Sequence, residues 1–235
     1  MKDNGVQIVT SSDYWLAGGV FVSLLKKGYK VNLVSYERED DLFGKIIKKV
    51  KMVVIVGFLS GAKIFFSILS NKKQIKKSSF FTEVKKENDL YNIVNNCPYP
   101  TIMINYGYKI NIDLLRSEII NFHPSVLPYY KGIMPTPRAW LDKNRSVIGG
   151  TVHIATKEFD DGPVLTQWCL LNYNSIMECY INNYQILFQW ICSSIIDAEN
   201  FDSVECCSLS KTGSYSRALT FAEIAKLKLT TLSSD

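Results

Sequence analysis

Ile119-Ile120-Asn121-Phe122-His123-Pro124-Ser125-Val126-Leu127-Pro128 is the stretch on which the fold turns. Two branched apolar residues followed by alternation read as a strand. Side chains alternate faces along a strand, so Asn121 and His123 emerge on one side and Phe122 on the other. Pro124 drives His123 into an extended conformation and has no N–H of its own to donate. The ladder therefore stops, leaving an amide and an imidazole side by side at a strand's carboxyl end. In open parallel sheets that edge is where ligands bind.

Working outward, a second stretch answers the first: His153-Ile154-Ala155-Thr156-Lys157-Glu158-Phe159-Asp160-Asp161-Gly162-Pro163. A strand over 150–155 runs into an acidic loop closed by Gly-Pro, a strong turn signal. An Asn, a His and a carboxylate delivered by neighbouring loops make a set for moving protons and stabilising an oxyanion. Taken singly, a strand-end His is more often structural and Asp-Asp-Gly-Pro is an ordinary turn. His153, on the strand behind the loop, reads as a packed support residue.

The opening of the chain is a β-α-β unit, which predicts a parallel sheet. It comprises an apolar strand over 6–10, a helix from Ser11-Ser12-Asp13 to Gly28, and a strand over 29–35. The first crossover has neither Gly-x-Gly-x-x-Gly nor a P-loop, which disfavours a dinucleotide or nucleoside-triphosphate site. Further expectations are a basic helix over 41–49, a strand over 52–58, a helix over 62–69, a short strand over 80–84 and a helix over 88–95. A strand over 100–106 follows, then a short helix over 114–118 capped by Asp113. Strands over 149–156 and 164–171 flank the acidic loop. A long helix over 175–198 carries an apolar stripe of Ile176, Tyr180, Tyr184, Leu187, Ile191 and Ile195, and from Lys226 the chain reads as a short tail.

Length and composition bound the class. A chain of 235 residues, 47% hydrophobic and 12% aromatic, can bury a full core. The net charge of +5 is mild, and its lysine clusters read as solvated helix faces rather than a nucleic-acid surface. Six cysteines without a Cys-x-x-Cys pair, and only two histidines, assemble no zinc spacing. The cysteines read as reduced thiols of a cytoplasmic protein. The N-terminus lacks an apolar signal region, and the longest apolar run is too short to span a bilayer.

The two quoted stretches together resemble the folate-dependent formyltransferases. Their signature is Asn-x-His-Pro-Ser, Leu-Pro and a Gly loop, then Thr-x-His and Asp-x-Gly-Pro. It falls here on Asn121, His123, Pro124, Ser125, Leu127, Pro128, Gly132, Thr151, His153, Asp160, Gly162 and Pro163. The resemblance implies an α/β, Rossmann-like, mostly parallel sheet flanked by helices, over residues 1–200, with a small C-terminal appendage at 201–235. It implies Asn121, His123 and Asp160 as catalytic residues and N10-formyltetrahydrofolate as co-substrate, with no metal. The co-substrate's pterin would be cradled by Tyr108, Lys109 and Ile110, together with Asp160.

The first loop lacks the Gly-Ser-Gly-Ser-Asn phosphate loop of glycinamide ribonucleotide transformylase. Ser12, Tyr14 and Trp15 stand there instead, which is similar to the short sugar N-formyltransferases. With Lys109 these residues are the candidates for acceptor binding. Tyr215-Ser216-Arg217 and Leu219-Thr220 match a segment that follows the catalytic domain in that group. The implied acceptor is a dTDP-linked amino sugar, dTDP-4-amino-4,6-dideoxyglucose first, made for lipopolysaccharide O-antigen by a homodimer with the 175–198 helix in its interface. Nucleic acid and membrane are not expected partners. Alternatives are phosphoribosylglycinamide formyltransferase of purine synthesis and a non-catalytic folate-binding module on the same fold.

Overall fold

The computed structural model describes residues 5–11, 13–37, 55, 58–197, 213 and 215–232. Strand β1 (Gly5–Thr10) leads into helix α1 (Leu16–Lys26) and back through β2 (Lys30–Tyr36). The start of α1 is fixed by Asp13. Its Oδ1 accepts from the amides of Trp15 and Leu16, at 2.9 and 3.0 Å, and its Oδ2 from that of Ala17 at 3.0 Å. Three of the amides that a helix leaves unpaired at its N-terminus are satisfied by this one carboxylate. The helix stops at Gly28, whose φ of +82° favours glycine. There Tyr29 N donates to Leu24 O and Gly28 N to Leu25 O, a Schellman ending.

Helix α2 (Phe58–Lys77), β3 (Phe81–Val84), α3 (Glu87–Asn95), β4 (Thr101–Ile104) and β5 (Ile119–His123) follow. After them come β6 (Lys131–Gly132), α4 (Pro135–Leu141), β7 (Gly149–Ile154), β8 (Val164–Cys169), α5 (Ile176–Trp190), β9 (Tyr215–Ser216) and α6 (Phe221–Leu232). The main sheet has the order β3-β2-β1-β4-β5-β7-β8, parallel from β3 to β5 and antiparallel at β5–β7 and β7–β8. This is the mostly parallel α/β sheet that the opening β-α-β unit predicts. Both faces are buried, as alternate residues show. Ile8, Leu33, Ile102 and Phe122 face one core with α1 and α5, while Val9, Val34, Met103 and Ile119 face a second core with α3.

Several expectations are corrected. The run over 52–58 was expected as a strand, yet its described residues Ile55 and Phe58 are helical. Ile55, Ile64 and Ile75 are buried, and 64 and 75 are three turns apart, so a helical face outweighs the β-branched composition. The helix continues to Lys77, beyond the end expected at residue 69. The expected helix over 41–49 lies outside the described residues. Asp113 does not cap a helix over 114–118; Ile112–Leu114 is a 3-10 turn in which the Asn111 side chain accepts from Asp113 N.

The C-terminal stretch is not a tail either. Helix α6 begins at a capping box in which Thr220 N donates to Glu223 Oε2 and Glu223 N to Thr220 Oγ1. Ile224 and Leu227 are buried in the main core. Glu223 also accepts from Arg138 Nη1 on α4 at 2.9 Å and from Arg217 Nη2 at 3.0 Å. The stripe proposed as a dimer interface is occupied too: Ile176, Tyr180, Tyr184, Leu187, Ile191 and Ile195 are buried in the chain's own core. Among the described residues no helix is long and apolar enough to cross a membrane.

Candidate active site

The parallel part of the sheet reverses its winding between β1 and β4, and their carboxyl ends open beside that of β5. In the antiparallel β5–β7 pair Asn121 lies opposite His153 and His123 opposite Thr151. All four side chains therefore share a face. A bulge between Val152 and His153 disturbs the β7–β8 register at this level, and the acidic loop springs from it.

Asp160 sits on that loop at φ +51°, 8% exposed. Its Oδ2 lies 3.3 Å from His123 Nδ1 and accepts from Gly132 N at 2.7 Å. Its Oδ1 accepts from Asn121 Nδ2 at 3.2 Å and lies 3.5 Å from His153 Nε2. The three residues read from sequence as catalytic are thus brought to one point. Burial works to raise the Asp160 carboxyl, but the His123 and His153 rings and the Gly132 amide outweigh it and hold the group at about 2. Burial is the main cause that lowers the His123 imidazole, and His153 adds to it. Asp160 and the Tyr130 carbonyl pull the other way.

The tautomers follow from the partners. His123 Nε2 lies 2.9 Å from Tyr130 O, which can only accept, so that nitrogen carries the proton. A neutral His123 then directs its Nδ1 lone pair at Asp160. His153 Nδ1 donates to Ile154 O at 2.9 Å, which leaves Nε2 to accept from Asn121 Nδ2 at 3.0 Å. Both hydrogens of the Asn121 amide are therefore committed, one to His153 and one to Asp160. The sequence reading offered that amide to an oxyanion; here it becomes a donor only when one of these partners yields.

The groups that hold these side chains were quoted in the sequence signature without a role. Thr151 Oγ1 donates to Ser125 O at 2.7 Å and accepts from Leu127 N at 3.0 Å, stapling the turn after β5. The Thr-x-His spacing was its signal. Gly162 packs so closely that a Cβ would lie 1.8 Å from Ile154 O, which explains glycine there. Gly132, at φ +95°, lies in the small sheet where Lys131 and Gly132 pair with Tyr215 and Ser216. The C-terminal segment thereby buttresses the amide that grips Asp160.

The other predicted residues are more dispersed. Lys109 and Ile110 line a cavity of about 340 Å³ with Glu87, Asn111, Ile112 and Lys157, so the loop after β4 and the acidic loop border one space. Tyr108 turns instead onto Tyr36, with ring centroids 5.2 Å apart. The Trp15 ring meets Tyr180 edge-on at 6.2 Å, and Tyr14 packs against Phe81 at 6.4 Å with Lys72 Nζ over its face. These are packing contacts on the α1 side, not contacts with Asn121, His123 or Asp160. Ser12 lies outside the described residues.

Residues 108–172, which hold every member of this cluster, match the family model described as formyl transferase. A mitochondrial formyltetrahydrofolate deformylase of Arabidopsis thaliana is 31% identical over 88 residues, 36% of this chain and 27% of that relative. The match thus spans about a quarter of the relative's length. A 4-N formyltransferase of Francisella tularensis superposes with a TM-score of 0.60 at 14% identity, covering 98% of this chain and 88% of that one. An N-formyltransferase of Helicobacter canadensis, crystallised with folinic acid and dTDP-3-aminofucose, gives 0.59 at 14% identity, over 95% and 79%. The segment that carries the site is thus similar to the formyl transferase family, on a fold that the chain shares with N-formyltransferases of known structure.

Proposed function

We propose that the chain is an N10-formyltetrahydrofolate-dependent N-formyltransferase whose acceptor is the amino group of a dTDP-linked amino sugar, dTDP-4-amino-4,6-dideoxyglucose first, for lipopolysaccharide O-antigen. The observation that carries the reading is the meeting of Asn121, His123 and Asp160 at the carboxyl end of β5. The co-substrate would lie along the loop containing Lys109 and Ile110, whose cavity reaches the acidic loop at Lys157. The amino-sugar acceptor draws its support from fold neighbours crystallised with such ligands. The proposal includes a cytoplasmic homodimer whose interface is elsewhere than the buried stripe of α5; sedimentation velocity tests the dimer.

In this reading the acceptor amine arrives neutral and donates to Asp160 Oδ1, displacing Asn121. The released amide hydrogen of Asn121 then meets the formyl oxygen as it gains charge. A bond forms between the amine nitrogen and the formyl carbon, and the bond to the folate nitrogen breaks. Asp160 relays the amine proton to His123 Nδ1, and the pair returns it to the departing nitrogen. The Tyr130 carbonyl keeps the remaining ring proton on Nε2 throughout. No covalent link to the protein is needed, so Ser125, whose Oγ donates to Tyr129 O at 2.7 Å, stays a turn residue.

The test is formyltetrahydrofolate with a panel of dTDP-amino sugars, glycinamide ribonucleotide and no acceptor, following tetrahydrofolate release. Acceptor-dependent release with an amino sugar is expected. His123→Ala and Asp160→Asn are each expected to reduce it by at least ~10²-fold, and unchanged turnover in either refutes the assignment. The deformylase likeness supports a second reading, in which water is the acceptor. Release at full rate with no amine present would select it.

A further inference from the structure

Asp160 holds a left-handed backbone conformation, uncommon for a residue other than glycine. Such a conformation persists only where its surroundings enforce it. Two consecutive residues of β6 supply that enforcement. The Gly132 amide binds the Asp160 carboxylate, and the ammonium of Lys131 binds the carboxylate of the next residue, Asp161. Lys131 is 4% exposed and Asp161 about one third exposed. A lysine so deeply buried needs a partner, since an unpaired buried charge is strongly destabilising. Strand β6 is in turn fixed by β9, where Ser216 Oγ donates to Ile133 O at 2.7 Å and Ile133 N to Ser216 O at 3.0 Å.

We infer that the Lys131–Asp161 ion pair is a clamp that sets the acidic loop so that Asp160 meets His123 and Asn121, making Lys131 and Asp161 positioning residues of the reaction. Residues 131–132 grip residues 160–161 at two points, so the loop can neither slide nor rotate without breaking one of them. The carboxylate of Asp161 is spent on Lys131, while that of Asp160 is left for the chemistry. The catalytic role of the clamp rests on the transferase reading; its mechanical role does not.

The chain has two histidines, which makes the clamp measurable without turnover. His123 faces Asp160, His153 and the Tyr130 carbonyl. Asp160 faces His123 from β5, His153 from β7 and Gly132 from β6, with Lys131 and Asp161 beside it. Imidazole ¹⁵N resonances should be followed against pH in the wild type, Lys131→Met, Asp161→Asn and the double variant. If the clamp positions Asp160, its loss withdraws the carboxylate from His123, and the ring titrates lower by about 0.5 pH unit or more in all three. Simple removal of a cation would raise the value in Lys131→Met, and the charge-neutral double variant would leave it in place.

Downward shifts in both Lys131→Met and the double variant support the clamp. An upward shift in the former, or none in the latter, overturns it. Where His123 stays neutral across the folded range, the Nδ1 shift at neutral pH reads the same contact. Should Lys131→Met not fold, the double variant, with no unpaired buried charge, carries the test. With an active acceptor, kcat is expected to fall about tenfold in the double variant, and an unchanged kcat overturns the catalytic role. A wild type inactive on every acceptor defeats the transferase reading and leaves the resonance result standing.

Discussion

His123 turns neither ring nitrogen towards solvent: one is fixed on a backbone carbonyl and the other on Asp160. A proton can therefore reach it only through the carboxylate. The same burial makes the pair a sensor of acid. Asp160 and His123 both titrate below their ordinary values. Each therefore contributes stability that is present above its unfolded pKa and lost as pH falls through the folded one. The share from His123 is complete above about 6.5 and that from Asp160 above about 4. Thermal unfolding should show Tm declining once pH drops below about 6.5, and His123→Gln should flatten that first decline. A wild-type Tm level between pH of about 7 and about 5 would contradict the lowered imidazole value. At this scale the sequence was most legible, because Asn121, His123 and Asp160 lie in short-range patterns of strand alternation, Pro and Gly-Pro. What it did not disclose is that both amide hydrogens of Asn121 are already engaged, since that depends on which tautomer Ile154 imposes on His153.

Among the elements, the strands of the sheet could be read because each is a short apolar run bounded by turn residues. The helices were harder. The described part of the run over 52–58 looks like a strand by composition and is helical, with Ile55 buried. Residues 220–223, Thr-Phe-Ala-Glu, are a capping box that was overlooked, and with it the helix that follows. That helix is part of the body: Ile224→Ala is expected to cost about 2–5 kcal/mol in chemical denaturation, as for a buried core residue. A cost below about 0.5 kcal/mol would mean that α6 is a surface appendage after all.

Taken whole, the molecule is tied across its layers by Phe122, the middle residue of the Asn-x-His signature. Its ring stacks on Trp168 of β8 with centroids 5.7 Å apart and an interplanar angle of 11°, and meets Tyr184 of α5 edge-on at 5.2 Å. While Asn121 and His123 face the site, the residue between them ties β5 across β7 to β8, and to a helix. Phe122→Ala is expected to lower stability by about 3–5 kcal/mol, with circular dichroism and tryptophan fluorescence sharing one midpoint. Separate midpoints would show that the sheet and α5 unfold independently. The mostly parallel architecture was legible from the first β-α-β unit, whereas the antiparallel return of β7 and β8 was not, because strand direction leaves no mark on local composition.

Asp13 gives the molecule a resident counter-anion at the mouth of α1, close to where the sheet's winding reverses. An approaching diphosphate finds those three amides occupied by a formal negative charge, which Asn105 Nδ2 secures at 2.7 Å. Attraction towards that mouth is thus replaced by repulsion, and the anionic arm of any nucleotide that this chain accommodates is steered to another part of the edge.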